Sequence, residues 1–312
     1  MKAVRIHGYG DPDVLKYEDA PTPTLKPDQV LVRVRGVGIN PVDVKTRAGK
    51  GLNYSDKPFP LILGWDIAGE IAETTAGAPF AVGDAVYGMV EFPGVGSAYA
   101  EYVAANWTEL AKAPQRIDLV TAAGVPLVGL TAWQALFEVG KLEAGARILI
   151  PAAAGGVGHI AVQLAKWKGA TVIGTASARN HDYLREIGVD QVIDYTKQSF
   201  EEVVKDVDFV LNTTREDDTL ARSFKVLRRG GTLISIAGKP DEEQAKASDI
   251  HAESILVKPS GEQMAKIAEL IDAGYVKPAV ERVFPLAAMN EAHRLQESGH
   301  VRGKIVLRVG DE

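Results

Sequence analysis

Val30, Val32 and Val34 alternate with Leu31, Arg33 and Arg35 in QVLVRVRGVGI, the spacing of a strand with one solvated face. Similar short runs follow in LGWDIAGEIAETT, GDAVYGMV and SAYAEYVAA, separated by Gly- and Pro-rich turns. Residues 1–120 therefore read as an all-β region, and the spacing of its short strands predicts a barrel rather than a parallel sheet. The period changes near Ala122. GLTAWQALFEVG predicts a helix closed by Gly140, and beyond it apolar strands alternate with amphipathic helices. The series is ARILIPA, a helix over 156–168, ATVIGTA, a helix over 180–187, QVIDY, a helix over 199–205, VDFVLN, a helix over 217–228, GTLISIAG and a last strand near SILVKPS. Six strands in such an alternation predict an α/β domain with a doubly wound parallel sheet and helices on both faces. The tail adds a helix over 261–273, with Ser260 and Gln263 in capping-box register, a strand near Val280–Phe284, a helix over 286–297 and a strand in GKIVLRV. Its character matches the N-terminal region. We expect it to rejoin that region, giving one domain from 1–121 and 261–312, a second from 122–260, and a cleft between two lobes.

Composition narrows the function without choosing it. At 312 residues the chain has room for two domains, and 46% hydrophobic with 24% charged residues is ordinary for a globular protein. A net charge of −6 argues against a general binder of nucleic acid or of a membrane surface, because phosphates would be repelled overall. The chain has no cysteine, which excludes disulfides, thiol nucleophiles and thiolate metal sites. The start MKAVRIHGYG carries no signal-peptide pattern, and the longest apolar runs are too short to span a bilayer. The expectation is a soluble cytoplasmic protein.

The chemistry concentrates where ARILIPA meets the helix over 156–168. The strand delivers the chain into Ala153-Ala154-Gly155-Gly156-Val157-Gly158, the position of the dinucleotide fingerprint of a Rossmann-type domain, with Ala153 in place of its first glycine. Gly155 would let the backbone approach a pyrophosphate, Gly158 would let the helix pack on the strand, and the opening amides of the helix would meet the anion. The next strand selects the dinucleotide. NAD sites place a carboxylate at its end, whereas GTASARN offers Ser177, Arg179 and Asn180 and no acid. A hydroxyl, a guanidinium and an amide suit a 2′-phosphate, so NADP(H) is the expected cofactor. Tyr195, after the third strand, could close the same pocket.

With those residues placed, the chain resembles the zinc-independent medium-chain dehydrogenases/reductases, within them the quinone oxidoreductases of zeta-crystallin type and the alkenal/enone reductases. The markers are GVGINPVDVKTRAG (36–49), PLILGWDIAGEI (60–71), GSAYAEYVAA (96–105), PLVGLTAWQAL (126–136), AAAGGVGHIAVQLAK (152–166) and GKIVL (303–307), and they cover essentially the whole chain. The resemblance implies a GroES-like, β-barrel-type catalytic domain interrupted by the nucleotide domain, a homodimer, and hydride transfer to a quinone or an α,β-unsaturated carbonyl. It carries Asn40 to the nicotinamide and substrate oxygen, Thr131 to the position beneath the nicotinamide, Thr213 and Ala237-Gly238 to the cofactor trough, and Lys304 to the nicotinamide end. Zinc-dependent relatives have Gly-His-Glu where this chain has Gly64-Trp65-Asp66. Trp65 cannot ligate a metal, and the six histidines lack ligand spacing, so no metal is expected.

Without a metal, the reaction must rest on hydride geometry and on donors to the developing enolate oxygen. Tyr54, in the loop GKGLNYSDKPFP, is the candidate proton donor. Competing structural roles stay open: Asn40 before Pro41 also suits a turn, Asp43 a helix cap, Arg47 the cleft or solvent, and Lys304 an exposed strand position. Two other functions remain, an enoyl-thioester reductase with Lys45, Arg47, Lys50 and Lys57 at its mouth, and a non-catalytic NADPH-binding sensor or structural protein.

Overall fold

The computed structural model describes residues 1–54, 56–214 and 218–310. Contacts gather the chain into two units, Met1–Leu130 with Lys258–Ala273 and Pro278–Glu312, and Thr131–Val257 with Gly274–Lys277. Residues 122–130 pack with the first unit, although the change of period assigns them to the second.

The first unit opens with β1 (Lys2–Ile6), β2 (Leu15–Asp19) and β3 (Gln29–Ile39). Helix α1 (Pro41–Arg47) follows, then β4 (Leu61–Ile62), β5 (Asp66–Thr74), β6 (Ala85–Met89), β7 (Tyr102–Asn106) and β8 (Leu110–Lys112). It continues through α2 (Leu119–Ala122) into α3 (Pro126–Trp133), within which the two units divide. The chain then runs through β9 (Arg147–Ile150), α4 (Gly156–Lys168), β10 (Thr171–Ala176), α5 (His181–Glu186), β11 (Gln191–Asp194), α6 (Phe200–Val203), β12 (Val207–Asn212), α7 (Thr219–Phe224), β13 (Leu227–Ser235), α8 (Glu242–Ala247) and β14 (His251–Ser254). It returns to the first unit with α9 (Gly261–Asp272), β15 (Val280–Pro285), α10 (Met289–Glu297) and β16 (Lys304–Arg308).

Strand β3 organises the first unit. One edge pairs with β5; the other pairs with β7 over Gln29–Arg33 and with β16 over Gly36–Ile39. Both pairings on that edge are antiparallel, so the returning tail completes the sheet that the N-terminal segment begins. The alternation in QVLVRVRGVGI predicts one wet face, but only Arg33 is exposed and Arg35 is half-buried. Helix α2 packs against this strand, which leaves little of its second face to solvent.

The second unit is a six-stranded parallel sheet in the order β11-β10-β9-β12-β13-β14. In strand sequence that is 3-2-1-4-5-6, the doubly wound order with its switch point between β9 and β12. Leu149, Ile173, Val210 and Leu233 from four of the strands pack with Phe200 and Phe224 from the helices.

Gly140 closes its helix as expected, though outside the left-handed region (φ −77°): the last turn is wider, Gly140 N–H donating to the Ala135 carbonyl at 3.1 Å. A side chain there would strike the Phe209 ring, its Cβ 2.3 Å away. Two sequence expectations fail locally. The helix over 217–228 is confined to Thr219–Phe224, because Leu227 is drawn into β13 opposite Val207; Asp217 lies outside the described residues. The last strand lies at His251–Ser254, ahead of most of the expected SILVKPS, where it pairs with β13 in a register from Thr232↔His251 to Ser235↔Ser254.

Candidate active site

In the second unit the carboxyl ends of the parallel strands bring the nucleotide candidates to one edge of the sheet. β9 leads to Gly155–Gly158, β10 to Ser177, Arg179 and Asn180, β11 to Tyr195, β12 to Thr213, and β13 to Ala237 and Gly238. Gly155 caps α4, whose opening amides have no intrahelical acceptor. Backbone fills the space behind Gly158: a Cβ there would lie 2.5 Å from the Ala152 carbonyl oxygen and 2.9 Å from Ala153. Gly155, Gly156 and Val157 are half-buried, as a surface open to an anion requires.

The departure from the fingerprint has a local answer. Ala153 is fully buried, and a Cβ on Gly174 in β10 would lie 2.8 Å from the Ala153 methyl. The room that the missing glycine would leave is found in the neighbouring strand. Across the switch point, Thr213 Oγ1 donates to the Pro151 carbonyl at 2.6 Å and ties the ends of β12 and β9. Asn180 is buried, Ser177 half-buried, and Arg179 and Tyr195 are exposed. Gly238 has φ +147°, and the Ala237 amide donates to Ser235 Oγ at 3.3 Å. Thr131, in α3, is buried. The residues here fit a dinucleotide phosphate: open amides, a close backbone approach and no carboxylate at the end of β10.

The first unit buries charge instead. Asn40, Asp43 and Asp66 are fully buried, and Arg47 and Lys304 are nearly so. Asn40 ends β3 and caps α1, but its side chain turns inward: Nδ2 donates to Asp66 Oδ2 at 2.9 Å, and Oδ1 accepts from Lys304 Nζ. Lys304 Nζ also donates to the Ile39 carbonyl at 2.5 Å and lies 3.6 Å from Asp66 Oδ2. Asp66 Oδ1 accepts from the Leu127 amide at 2.8 Å. Burial pushes Asp66 up and Lys304 down from their ordinary values, and mutual attraction draws each back. The ion-pair form satisfies the geometry, since both Asp66 oxygens already accept from N–H donors. Lys304 is therefore neither an exposed strand residue nor an unengaged cation.

Asp43 is the helix cap considered above, accepting from the Asn40 amide at 2.5 Å. Burial, with the Asp66 charge, holds its carboxyl up at about 8 despite that hydrogen bond. Tyr99 OH lies 3.1 Å from His293 Nε2, and burial, with the Arg47 charge, keeps the imidazole down at about 3 and hence neutral. Arg47 faces inward and pairs with Glu297 at 2.6 Å. Asp66, Tyr99 and His293 were not singled out from sequence. For Asp66 a signal existed, one acid in the otherwise apolar LILGWDIAG.

Tyr54 is corrected. It is not a loop aromatic with a free phenol; it is buried, with its hydroxyl 2.8 Å from the Pro93 carbonyl and 2.7 Å from that of Gly94. A phenol has one proton to donate, and backbone acceptors hold it. Burial also raises its pKa, which further weakens it as an acid.

Residues 26–115 match the model of the alcohol dehydrogenase GroES-like domain, and 187–307 that of a zinc-binding dehydrogenase. The chain is 34% identical to the chloroplastic NADPH-dependent alkenal/one oxidoreductase of Arabidopsis thaliana, over 98% of this chain and 79% of that protein. The quinone oxidoreductase from Coxiella burnetii superposes with a TM-score of 0.93 at 36% identity, covering 99% of each chain. A mycobacterial protein solved with NADPH does so at 0.87 and 26% identity, covering 99% of this chain and 100% of that one. The described residues do not fit zinc. The chain has no cysteine, the Trp65 indole N–H donates to the Gly94 carbonyl, and among the described residues no group of three or more His, Cys, Asp or Glu could hold a metal. Among the described residues no helix is long and apolar enough to cross a membrane.

Proposed function

The chain belongs to the quinone oxidoreductase and alkenal/enone reductase family of the medium-chain dehydrogenases/reductases, and on that premise we propose that it is a zinc-independent, NADPH-dependent reductase of quinones or α,β-unsaturated carbonyls. The observation that carries the reading is the α4 cradle, where backbone crowds Gly158 at the switch point of a doubly wound sheet. When bound, NADPH supplies the hydride that adds to the electrophilic carbon of the substrate.

The chain's own residues hold and orient. The turn at Gly155 and the amides of Gly156–Gly158 take the pyrophosphate, and Ser177, Arg179 and Asn180 take the 2′-phosphate, with Tyr195 beside them. Thr213, Ala237 and Gly238 line the trough, and Thr131 and Asn40 serve the nicotinamide end. Water delivers the proton to the enolate carbon, because Tyr54 is held by backbone acceptors. Lys304 acts through Asn40 and Asp66 rather than on the cofactor. We place the protein in the cytoplasm, whose reducing conditions suit a chain without cysteine, and read it as a homodimer, the latter supported by the family resemblance and by β14 as an outer strand of its sheet.

The test follows NADPH absorbance with metal-free protein and a panel of 1,2- and 1,4-quinones, short enones and a crotonyl thioester. Oxidation with quinones or enones is expected. NADPH binding without oxidation by any substrate would overturn the reading in favour of a sensor. Arg179→Ala is expected to weaken NADPH binding roughly ten- to hundredfold, the worth of one charge-assisted hydrogen bond, and NADH binding little.

A further inference from the structure

Helix α3 begins at Pro126, and the residues before it, Gly124 and Val125, carry no side-chain acceptor to cap it. Proline has no N–H, so Leu127 presents the first orphan donor of the helix. Asp66 supplies the missing acceptor from a different strand, its Oδ1 2.8 Å from the Leu127 amide. The other oxygen of the same carboxylate takes the Asn40 amide at 2.9 Å. One side chain thus holds both Asn40 and the first turn of the helix that carries Thr131 one turn later.

Opposite charges fix how Asn40 sits. Lys304 Nζ, which can only donate, meets Oδ1; Asp66, when ionised, can only accept and meets Nδ2. Turning the amide over would set NH2 against ammonium and carbonyl against carboxylate. Burial removes the water that would screen either mismatch.

We propose that Asp66 is a positioning residue for hydride transfer, its two oxygens setting Asn40 and the start of α3 while Lys304 serves as its counter-charge. The proposal rests on the reductase reading for the roles of Asn40 and Thr131. It has a physical consequence that does not. Asp66→Asn keeps the shape but replaces one acceptor by a donor, so while Lys304 holds Asn40 Oδ1 it cannot serve both Leu127 and Asn40.

The test compares wild type, Asp66→Asn and the double variant Asp66→Leu/Lys304→Met, which offers Leu127 no acceptor and leaves no buried lysine without its carboxylate. In the double variant we expect a melting temperature near that of wild type, faster hydrogen exchange confined to the segment 124–131 of the apo protein, and an unchanged Kd for NADPH. With the enone as substrate, kcat falls about a hundredfold, as a displacement of the order of 1 Å can cause, and the isotope effect with 4-deuterated NADPH rises. Asp66→Glu, which restores two acceptors, recovers part of kcat. Unchanged exchange over 124–131 overturns the capping role, and an unchanged kcat in the double variant overturns positioning. A wild type that oxidises no NADPH overturns the reductase reading instead, while the exchange result still decides whether Asp66 caps α3.

Discussion

The two units handle polar chemistry in opposite ways. Every buried Asp, Glu, Lys or Arg among the described residues (Asp43, Arg47, Asp66 and Lys304) lies in the first unit; the buried polar side chains of the second are Thr, Ser, Asn, Gln and His. The anion site proposed for the second unit is made of backbone, with amides at a helix start and room made by glycines. Such a site costs little to keep dry, because its donors are neutral. The first unit holds ions in a place without water, and those must be matched to one another or be strongly destabilising. A site made of backbone breaks by being filled, whereas a site made of charge breaks by being unbalanced.

The largest effect should come from unbalancing. Lys304→Met leaves Asp66 buried without its cation, and a loss of about 3–5 kcal/mol in denaturant unfolding is expected. If the loss is under about 1 kcal/mol, the pair is not a buried ion pair. Filling the cradle should do less to folding and more to binding. Gly158→Ala places a methyl against the Ala152 and Ala153 backbone, for about 1–3 kcal/mol of destabilisation and a severe loss of NADPH affinity by fluorescence titration. Wild-type affinity in that variant would remove the cradle from the cofactor site.

A pH-dependent effect separates the units further. The Asp43 carboxyl, at about 8 when folded against an ordinary 3.8, stays protonated in the folded state over a range where the unfolded chain has released the proton. Its contribution to stability is complete below 3.8 and is lost as pH rises toward 8. Relative to wild type, Asp43→Asn should therefore gain stability as pH rises from about 5 to about 8, by up to about 1.4 kcal/mol per pH unit. A constant difference between the two proteins would mean that Asp43 is already ionised. The smallest effect concerns Tyr54. Tyr54→Phe should cost about 0.5–1.5 kcal/mol for its hydrogen bond to the 93–94 backbone and leave the ratio of enone to quinone rates unchanged. A selective fall in the enone rate would restore Tyr54 as the proton donor.

The second unit was the more legible because its information is local. A strand period, a helix period and a glycine at a fixed step between them occupy some twenty consecutive residues, and sterics alone decide what each may do. Even the departure at Ala153 is answered nearby, at Gly174. Errors there fell at margins such as Leu227 and His251, where pairing with β12 and β13 outweighed the local pattern.

The sequence by itself determined the alternating βαβ series, the glycine turn that opens α4, the absence of thiol chemistry and the lack of an acid at the end of β10. Only the tertiary structure decided that Asn40, Asp66, Leu127 and Lys304 meet, that Arg47 faces inward and that Tyr54 is already bonded. The physical reason is range. Steric and periodic constraints act between neighbours in the chain, whereas a buried charge is tolerable only beside a partner. Here the partners lie as far apart as positions 40 and 304, which antiparallel pairing of β3 with β16 brings into register.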